Sequence, residues 1–306
     1  MAKIYIIILL KHFKEGHMKK LLTSMIAASL LVTSSFAADA KTNQVSKNAV
    51  VKAEQNAQSA TKLVKEAIRA IQYTQDALIY LNANKKDKAI ESLKKAVGEL
   101  AIVLNAPNAP YLLPVDIQME AYQFNGKLSD VAKMVDEAKI LVAKNKLPQA
   151  RTILNALRDE IVIKTINLPL ATYPAALNLA IKYINEGKVK EAKDVLAMAL
   201  STLVEVDTII PIPIVKAEAL VKEASKIVKK DKKEALKYLE EAKYQLKLAE
   251  TLGYTSKSST TYKMLKDAIN NLEKEIKANH KTGGLFEELI KKLKEFKEKA
   301  IEHINK

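Results

Sequence analysis

The sequence predicts an all-α protein: antiparallel helical hairpins repeated about four times, stacked into a bundle or short solenoid and joined by proline-rich connecting segments. Three observations carry that prediction. The first is the stretch from Ala180 to Pro213, in which one helix runs into Asn185-Glu186-Gly187-Lys188 and a second carries Ala192, Leu196, Ala199 and Leu203 before Pro211-Ile212-Pro213. Gly187 suits the left-handed conformation that ends a helix, apolar residues three and four apart mark one helix face, and prolines remove backbone donors. The second is recurrence. Ala89, Ala150, Ala192 and Ala235 are followed four residues later by Leu93, Leu154, Leu196 and Leu239, then by Ala96, Leu157, Ala199 and Ala242, then by Leu100, Ile161, Leu203 and Leu246. The third is composition: 48% hydrophobic but only 5% aromatic, with no Trp, leaving Leu, Ile, Val and Ala to fill a core of closely packed helices.

Taken in order, residues 1–17 read as an over-extended start. From Met18, Lys19-Lys20, the apolar run from Leu21 to Phe36 and the small residues of Ser35-Phe36-Ala37 form a secretory signal cleaved after Ala37, with Ala40 as second choice. The run is shorter than the roughly 20 apolar residues of a membrane span. The expectation is therefore a periplasmic protein with no transmembrane anchor in the mature chain. Lys41 to Asn84 holds neither Pro nor Gly and reads as one long helix through Ala57, Ala60, Val64, Ala67, Ile71, Thr74, Leu78 and Leu81.

Hairpin turns are expected at Asn82 to Asp87, Ala143 to Pro148, Asn185 to Lys190 and Val228 to Lys233, and Pro148 then falls in the first turn of its helix, where it costs no hydrogen bond. Asn105 to Pro114 is non-helical. Asp116 to Phe124 reads as a short helix stopped at Asn125-Gly126, with Ser129 or Asp130 capping the next. Leu168 to Pro174 reads as a structural corner, Leu168 and Leu170 turned inward and Tyr173 packed on a helix. Beyond a loop after Tyr254, a helix through Leu265, Ile269, Leu272 and Ile276 ends before Lys281-Thr282-Gly283-Gly284, where the glycines give a hinge. A final helix aligns Phe286, Leu289, Leu293, Phe296 and Ala300 in one seam flanked by both charge signs, which either docks on the chain's own core, lies on a membrane surface or, as the expectation here, contributes to subunit contact in a homo-oligomer.

Composition also excludes chemistry. There is no Cys, so no disulfide, thiolate nucleophile or Cys-based metal site. The four histidines are His12, His17, His280 and His303, so a histidine base or metal cluster in the body from Lys41 to Asn279 is excluded. The formal charge is +15, and +11 without residues 1–37, which carry five lysines and one glutamate. Only Arg69, Arg151 and Arg158 are arginines, and with so few aromatics the excess reads as a solvated Lys/Glu surface: no nucleic-acid partner is expected.

Glu160-Ile161-Val162-Ile163, Leu168-Pro169-Leu170-Ala171-Thr172-Tyr173-Pro174, Gly187-Lys188 with Glu191-Ala192, Pro211-Ile212-Pro213, Glu234-Ala235-Leu236, Tyr244-Gln245-Leu246 and Leu252-Gly253-Tyr254 occur in an order that resembles the YfdX family. Leu113-Pro114-Val115 fits the same pattern upstream, and the likeness spans roughly Ala67 to Tyr254. It implies an exported, all-helical bacterial protein, linked in some members to stress or acid response, with a chaperone-like or ligand-binding role and no catalytic residue set. The expected division is residues 1–37 as extended start and cleaved signal (Met18 to Ala37), 41–280 as an all-helical YfdX-like domain and 281–306 as a C-terminal amphipathic helix.

Candidate side chains are few. Asp159 and Glu160 are adjacent and diverge on a helix. Asp116 and Glu120 share a helix face, but hard cations need more oxygen ligands than two. Tyr173, Tyr244 and Tyr254 either line a pocket with Arg158 or cap a core with their hydroxyls tied to backbone, and the second is the expectation. No catalytic, cofactor-binding or metal-ligating residue is assigned, and no cofactor is expected. The reading is a non-enzymatic scaffold, a homo-oligomer that takes an unfolded protein or a small apolar ligand. The alternatives are a periplasmic enzyme working through Asp, Glu or Tyr and a dedicated small-molecule binder.

Overall fold

A computed structural model of the chain describes residues 40–256 and 258–305. The signal and its cleavage after Ala37 lie outside the described residues. In order the elements are α1 (Ala40–Ala60), α2 (Lys65–Asn82), α3 (Lys86–Leu104), β1 (Leu112–Tyr122), α4 (Leu128–Ala143), α5 (Leu147–Ala156), β2 (Glu160–Pro169), α6 (Tyr173–Asn185), α7 (Val189–Ser201), β3 (Val204–Pro211), α8 (Ile212–Ile227), α9 (Lys232–Thr251), α10 (Tyr262–Lys277) and α11 (Gly283–Ile304). The protein is mostly helical, as expected, but not all-α: the strands form one antiparallel sheet in the order β1-β2-β3.

The strands occupy the segments that join one helix pair to the next. Their prolines sit near strand ends, Pro114 close to the start of β1, Pro169 and Pro211 at the last positions of β2 and β3, where a missing N–H is tolerated. Asp116 to Phe124 is therefore not a short helix: residues up to Tyr122 belong to β1. Ile161, placed by the sequence on a helix face, lies in β2, because α5 stops at Ala156 and the β-branched run Ile161-Val162-Ile163 prefers the pleated conformation. The long helix expected from Lys41 to Asn84 is also divided, with residues 61–64 outside both α1 and α2. There Val64 turns away to give its N–H to the Pro114 carbonyl at 2.8 Å. Asp130 lies inside the first turn of α4 and reaches back to accept the Lys127 N–H at 2.9 Å.

Three of the expected turns share one construction. Asn84, Asn145 and Gly187, each five residues before an aligned alanine, take φ of 56°, 55° and 77°. In each the next residue's N–H reaches back five residues: Lys85 to Tyr80, Lys146 to Leu141 and Lys188 to Tyr183, all at 2.8 Å. This is the Schellman ending, and Asn and Gly are the residues that tolerate it. The turn before α9 differs, closing with Lys230 and Asp231 both on the Ile227 carbonyl.

The chain divides into two compact units. The first comprises Ala60–Gln118 and Lys164–Val206. Here α2 packs on α3, α6 on α7, α3 on α6 and α2 on α7, around Leu81, Ala89, Leu93, Leu177, Ala192 and Leu196, all fully buried. Arg69 grips Glu99 with two bonds of 2.7 Å, tying α2 to α3. The corner after β2 turns inward as expected: Leu168, Leu170 and Tyr173 are buried, and Leu170 donates to the Tyr111 carbonyl at 2.9 Å.

The second unit holds residues 40–59, Met119–Ile163 and 207–305. Its core is α8 on α9, with α10 and α11 completing it, and the pair α4–α5 touches α9 through α4. All five seam residues of the last helix, Phe286, Leu289, Leu293, Phe296 and Ala300, are buried in this core. The seam is thus covered within the chain and is not free for subunit contact. Phe296 meets the Tyr262 ring edge-on at 4.7 Å, Lys297 pairs with the buried Glu218 of α8, and Asn305 clasps both backbone groups of Ile209. Gly283 and Gly284 form the first turn of α11 and are no hinge.

The four aligned alanines, Ala89, Ala150, Ala192 and Ala235, are fully buried. The leucine four residues on is buried in three pairs, but Leu154 is 49% exposed. Because Ala192 sits where α7 meets its neighbours, Ala192→Leu should overpack the first unit and cost about 1–3 kcal/mol. A melting temperature equal to that of the wild type would contradict the packing.

Candidate functional site

A group of buried ionisable side chains forms where α5 gives way to β2. After Leu157 caps α5 the backbone extends, carrying Arg158, Asp159 and Glu160 into a setting in which Asp159 is 1% exposed and Glu160 7%. A buried charge needs partners, and most come from far along the chain. Gly253, with φ 86°, ends α9 by another Schellman turn in which the Tyr254 N–H returns to the Ala249 carbonyl at 3.1 Å. That turn aims the Tyr254 phenol at the group. Its oxygen accepts the Asp159 N–H at 3.0 Å and donates to Glu160 Oε2 at 3.0 Å. Arg158 Nε donates to Glu160 Oε1 at 2.6 Å, and its guanidinium lies 3.5 Å over the Tyr122 ring. The Ile212 N–H, at the start of α8, closes on the Asp159 carbonyl at 3.0 Å.

Both Glu160 oxygens are therefore engaged. The Asp159 carboxyl is less well served: it receives the Phe124 N–H, Lys216 is its nearby cation, and Oδ1 has no hydrogen-bond partner. Burial pushes its pKa up to about 6, against the pull of Lys216 and the Phe124 N–H and with a small push from Glu160. Tyr254 is driven well above the usual phenol range by burial and then by the Glu160 carboxylate, so it stays a neutral donor. A carboxyl that titrates near neutrality is the kind of group that performs proton transfer. This one is sealed from solvent, and the arrangement acts as a structural knot that binds β2, α8 and the end of α9.

Of the candidates read from the sequence, Arg158 and Tyr254 come together through Glu160, and Tyr254 has its hydroxyl tied to backbone. Asp159 and Glu160 do not share a proton, yet both meet Tyr254, one through its N–H and one through its carboxylate. Tyr244 packs in a separate small apolar cluster with Val131, Leu157 and Leu248. Tyr173 belongs to the first unit, where burial raises its hydroxyl to about 12, opposed by Thr74. Asp116 and Glu120 lie in β1; Asp116 accepts its neighbour's N–H at 2.9 Å and Glu120 takes the Tyr122 hydroxyl. Among the described residues no group of three or more His, Asp or Glu is placed to hold a metal. Sequence reasoning missed Lys216 and Tyr122. The signal for Lys216 was a lone cation in the apolar start of α8, Ile212-Pro213-Ile214-Val215-Lys216-Ala217.

Residues 70–209 match the YfdX protein family. Among solved structures, a crystal structure of YfdX from Salmonella Typhi is similar at 14% identity and a TM-score of 0.35, covering 49% of this chain and 94% of its own. No curated protein matches the sequence.

The raised pKa of Asp159 makes a signed prediction. The folded state holds this proton up to about pH 6, the unfolded chain only to about 3.8, so the stability it contributes is complete below 3.8 and is lost as pH rises through 6. Asp159→Asn should therefore be more stable than the wild type at pH 7, by up to about 3 kcal/mol, with the two converging near pH 4. Denaturant titrations at both pH values would show it; a variant less stable at pH 7 would contradict it.

Proposed function

We propose, from the premise that residues 70–209 make this chain a member of the YfdX family, that it is an exported, non-enzymatic scaffold of the periplasm that shields unfolded proteins or small apolar ligands under stress. The observation that carries the reading is where apolar surface lies. Of the 13 large hydrophobic side chains exposed among the described residues, 12 fall within the family segment and only Met264 outside it. Exposed apolar patches on a folded protein mark surfaces that take a partner. The α4–α5 pair concentrates four of them, Ile140, Val142, Leu147 and Leu154, while burying only Val131, Ala138 and Ala150.

The ionisable groups speak for binding over catalysis, since Arg158, Glu160 and Tyr254 are consumed by one another. No helix among the described residues is long and apolar enough to cross a membrane. The four helix pairs read as variants of one unit, of which α4–α5 keeps its outer face for other molecules. A homo-oligomer would use this face, since the C-terminal seam is filled from within.

Protein recovered from the periplasm, its mass beginning at Ala38, should slow the aggregation of a thermally unfolding client such as citrate synthase. Leu147→Ser with Leu154→Ser, at half-exposed positions where folding tolerates the change, should lose most of that protection and lower the assembly mass seen by light scattering. A leader retained on cytosolic protein, or full protection by the double variant, would refute the reading.

A further inference from the structure

A second surface is the free edge of β3, and it does not rest on the scaffold reading. β3 ends the sheet, with β2 as its one neighbour. On an antiparallel strand the N–H and C=O of one residue point the same way, and those of the next residue the opposite way. Contacts at both ends of β3 fix the phase. Asn167 of β2 reaches the Val204 carbonyl at 3.2 Å and the Ile212 N–H meets the Asp159 carbonyl at 3.0 Å, so the even-numbered residues face β2. The odd-numbered ones, Glu205, Asp207 and Ile209, face away. At Ile209 the outer edge is filled: Asn305, closing α11, accepts its N–H at 2.6 Å and donates to its carbonyl at 3.0 Å. That is the pair of bonds a residue of a fourth strand would make, and the second Asn305 N–H, on the Ile301 carbonyl at 2.6 Å, holds the amide there. Among the described residues no side chain does the same for Glu205 and Asp207.

The side chains of β3 define what fits this edge. Val204 and Val206 are 37% and 42% exposed on one face, and Glu205 and Asp207 are exposed on the other. Neither carboxylate joins an ion pair among the described residues. A second copy of the strand does not suit it, because the fullest antiparallel overlap sets Asp207 opposite Asp207, and like charges placed opposite destabilise a pair. We propose that β3 takes an added strand from another polypeptide, an extended segment that alternates basic and apolar residues, with Asn305 marking the end of the edge. In strand addition the main-chain bonds supply affinity and the alternate side chains supply selectivity. Here the basic side chains meet Glu205 and Asp207, and the apolar ones meet Val204 and Val206.

The full chain would be titrated, by fluorescence anisotropy, with a capped peptide alternating valine and lysine, with its valine and glutamate counterpart, and with a form N-methylated at the lysines, whose N–H groups would face β3. The expected result is saturable binding of the lysine peptide, weakened by salt and about tenfold or more tighter than either control, with new protection from hydrogen exchange at the Glu205 and Asp207 amides. Glu205→Lys with Asp207→Lys, at exposed positions, should weaken it by about tenfold or more at an unchanged melting temperature. Asn305→Ala frees a third residue of the edge and should tighten it. Leu147→Ser with Leu154→Ser should leave it unchanged, which separates this edge from the α4–α5 face. Failure of the lysine peptide to bind, equal binding of the N-methylated form, or affinity untouched by Glu205→Lys with Asp207→Lys would overturn the proposal.

Discussion

The phenol of Tyr254 is the fastening on which the second unit depends. One oxygen takes the backbone N–H of Asp159 and gives its proton to Glu160, more than 90 residues away in sequence. The same short segment receives Ile212 at its carbonyl and Arg158 at its carboxylate. Asp159, Glu160 and Tyr254 are buried, and a buried polar group without its partner costs more than a made hydrogen bond contributes. The start of β2, the start of α8 and the end of α9 are thus held in one arrangement, and the apolar packing of α8, α9, α10 and α11 is laid on that frame. Asp159 is the imperfect member, with an unpartnered oxygen and a carboxyl that holds its proton toward neutral pH.

What the sequence revealed and what it hid divide along physical lines. Helix pairs were legible because apolar residues three and four apart leave one face and because Asn or Gly must stand where a helix ends in the left-handed region; Asn84, Asn145 and Gly187 do so. The buried alanines were legible because only a small side chain lets two helices approach. The strands are masked by their prolines. Pro114, Pro169 and Pro211 suggest irregular connection, whereas proline at a strand end is compatible with a sheet, and the β-branched run in β2 and the alternation Val204-Glu205-Val206-Asp207 in β3 carry the signal.

The knot was hidden for a different reason. Arg158, Asp159 and Glu160 look like surface charge on a helix, and the partners that bury them lie in other elements, which one sequence does not bring together. Gly253 was the available clue: a left-handed helix end places the next residue, here a tyrosine, against what packs beside the helix. The final seam was legible as apolar but not as to what covers it, since the same spacing serves a partner chain or the chain's own core. Lys297 to Glu218 and Asn305 to Ile209 decide for its own core.

The two halves of the surface differ in kind. Among the described residues, large apolar side chains stand exposed almost only within residues 70–209, while the helices beyond them carry a mixed lysine and glutamate surface. The charged interior serves neither surface directly; it holds β2, α8 and α9 in place. The most direct measurement of that role is the stability of Tyr254→Phe, which removes one oxygen and leaves the ring. A loss of about 1–3 kcal/mol in denaturant unfolding is expected, because the Asp159 N–H and Glu160 lose a partner while still buried. Stability equal to the wild type would contradict it and reduce the knot to a coincidence of packing.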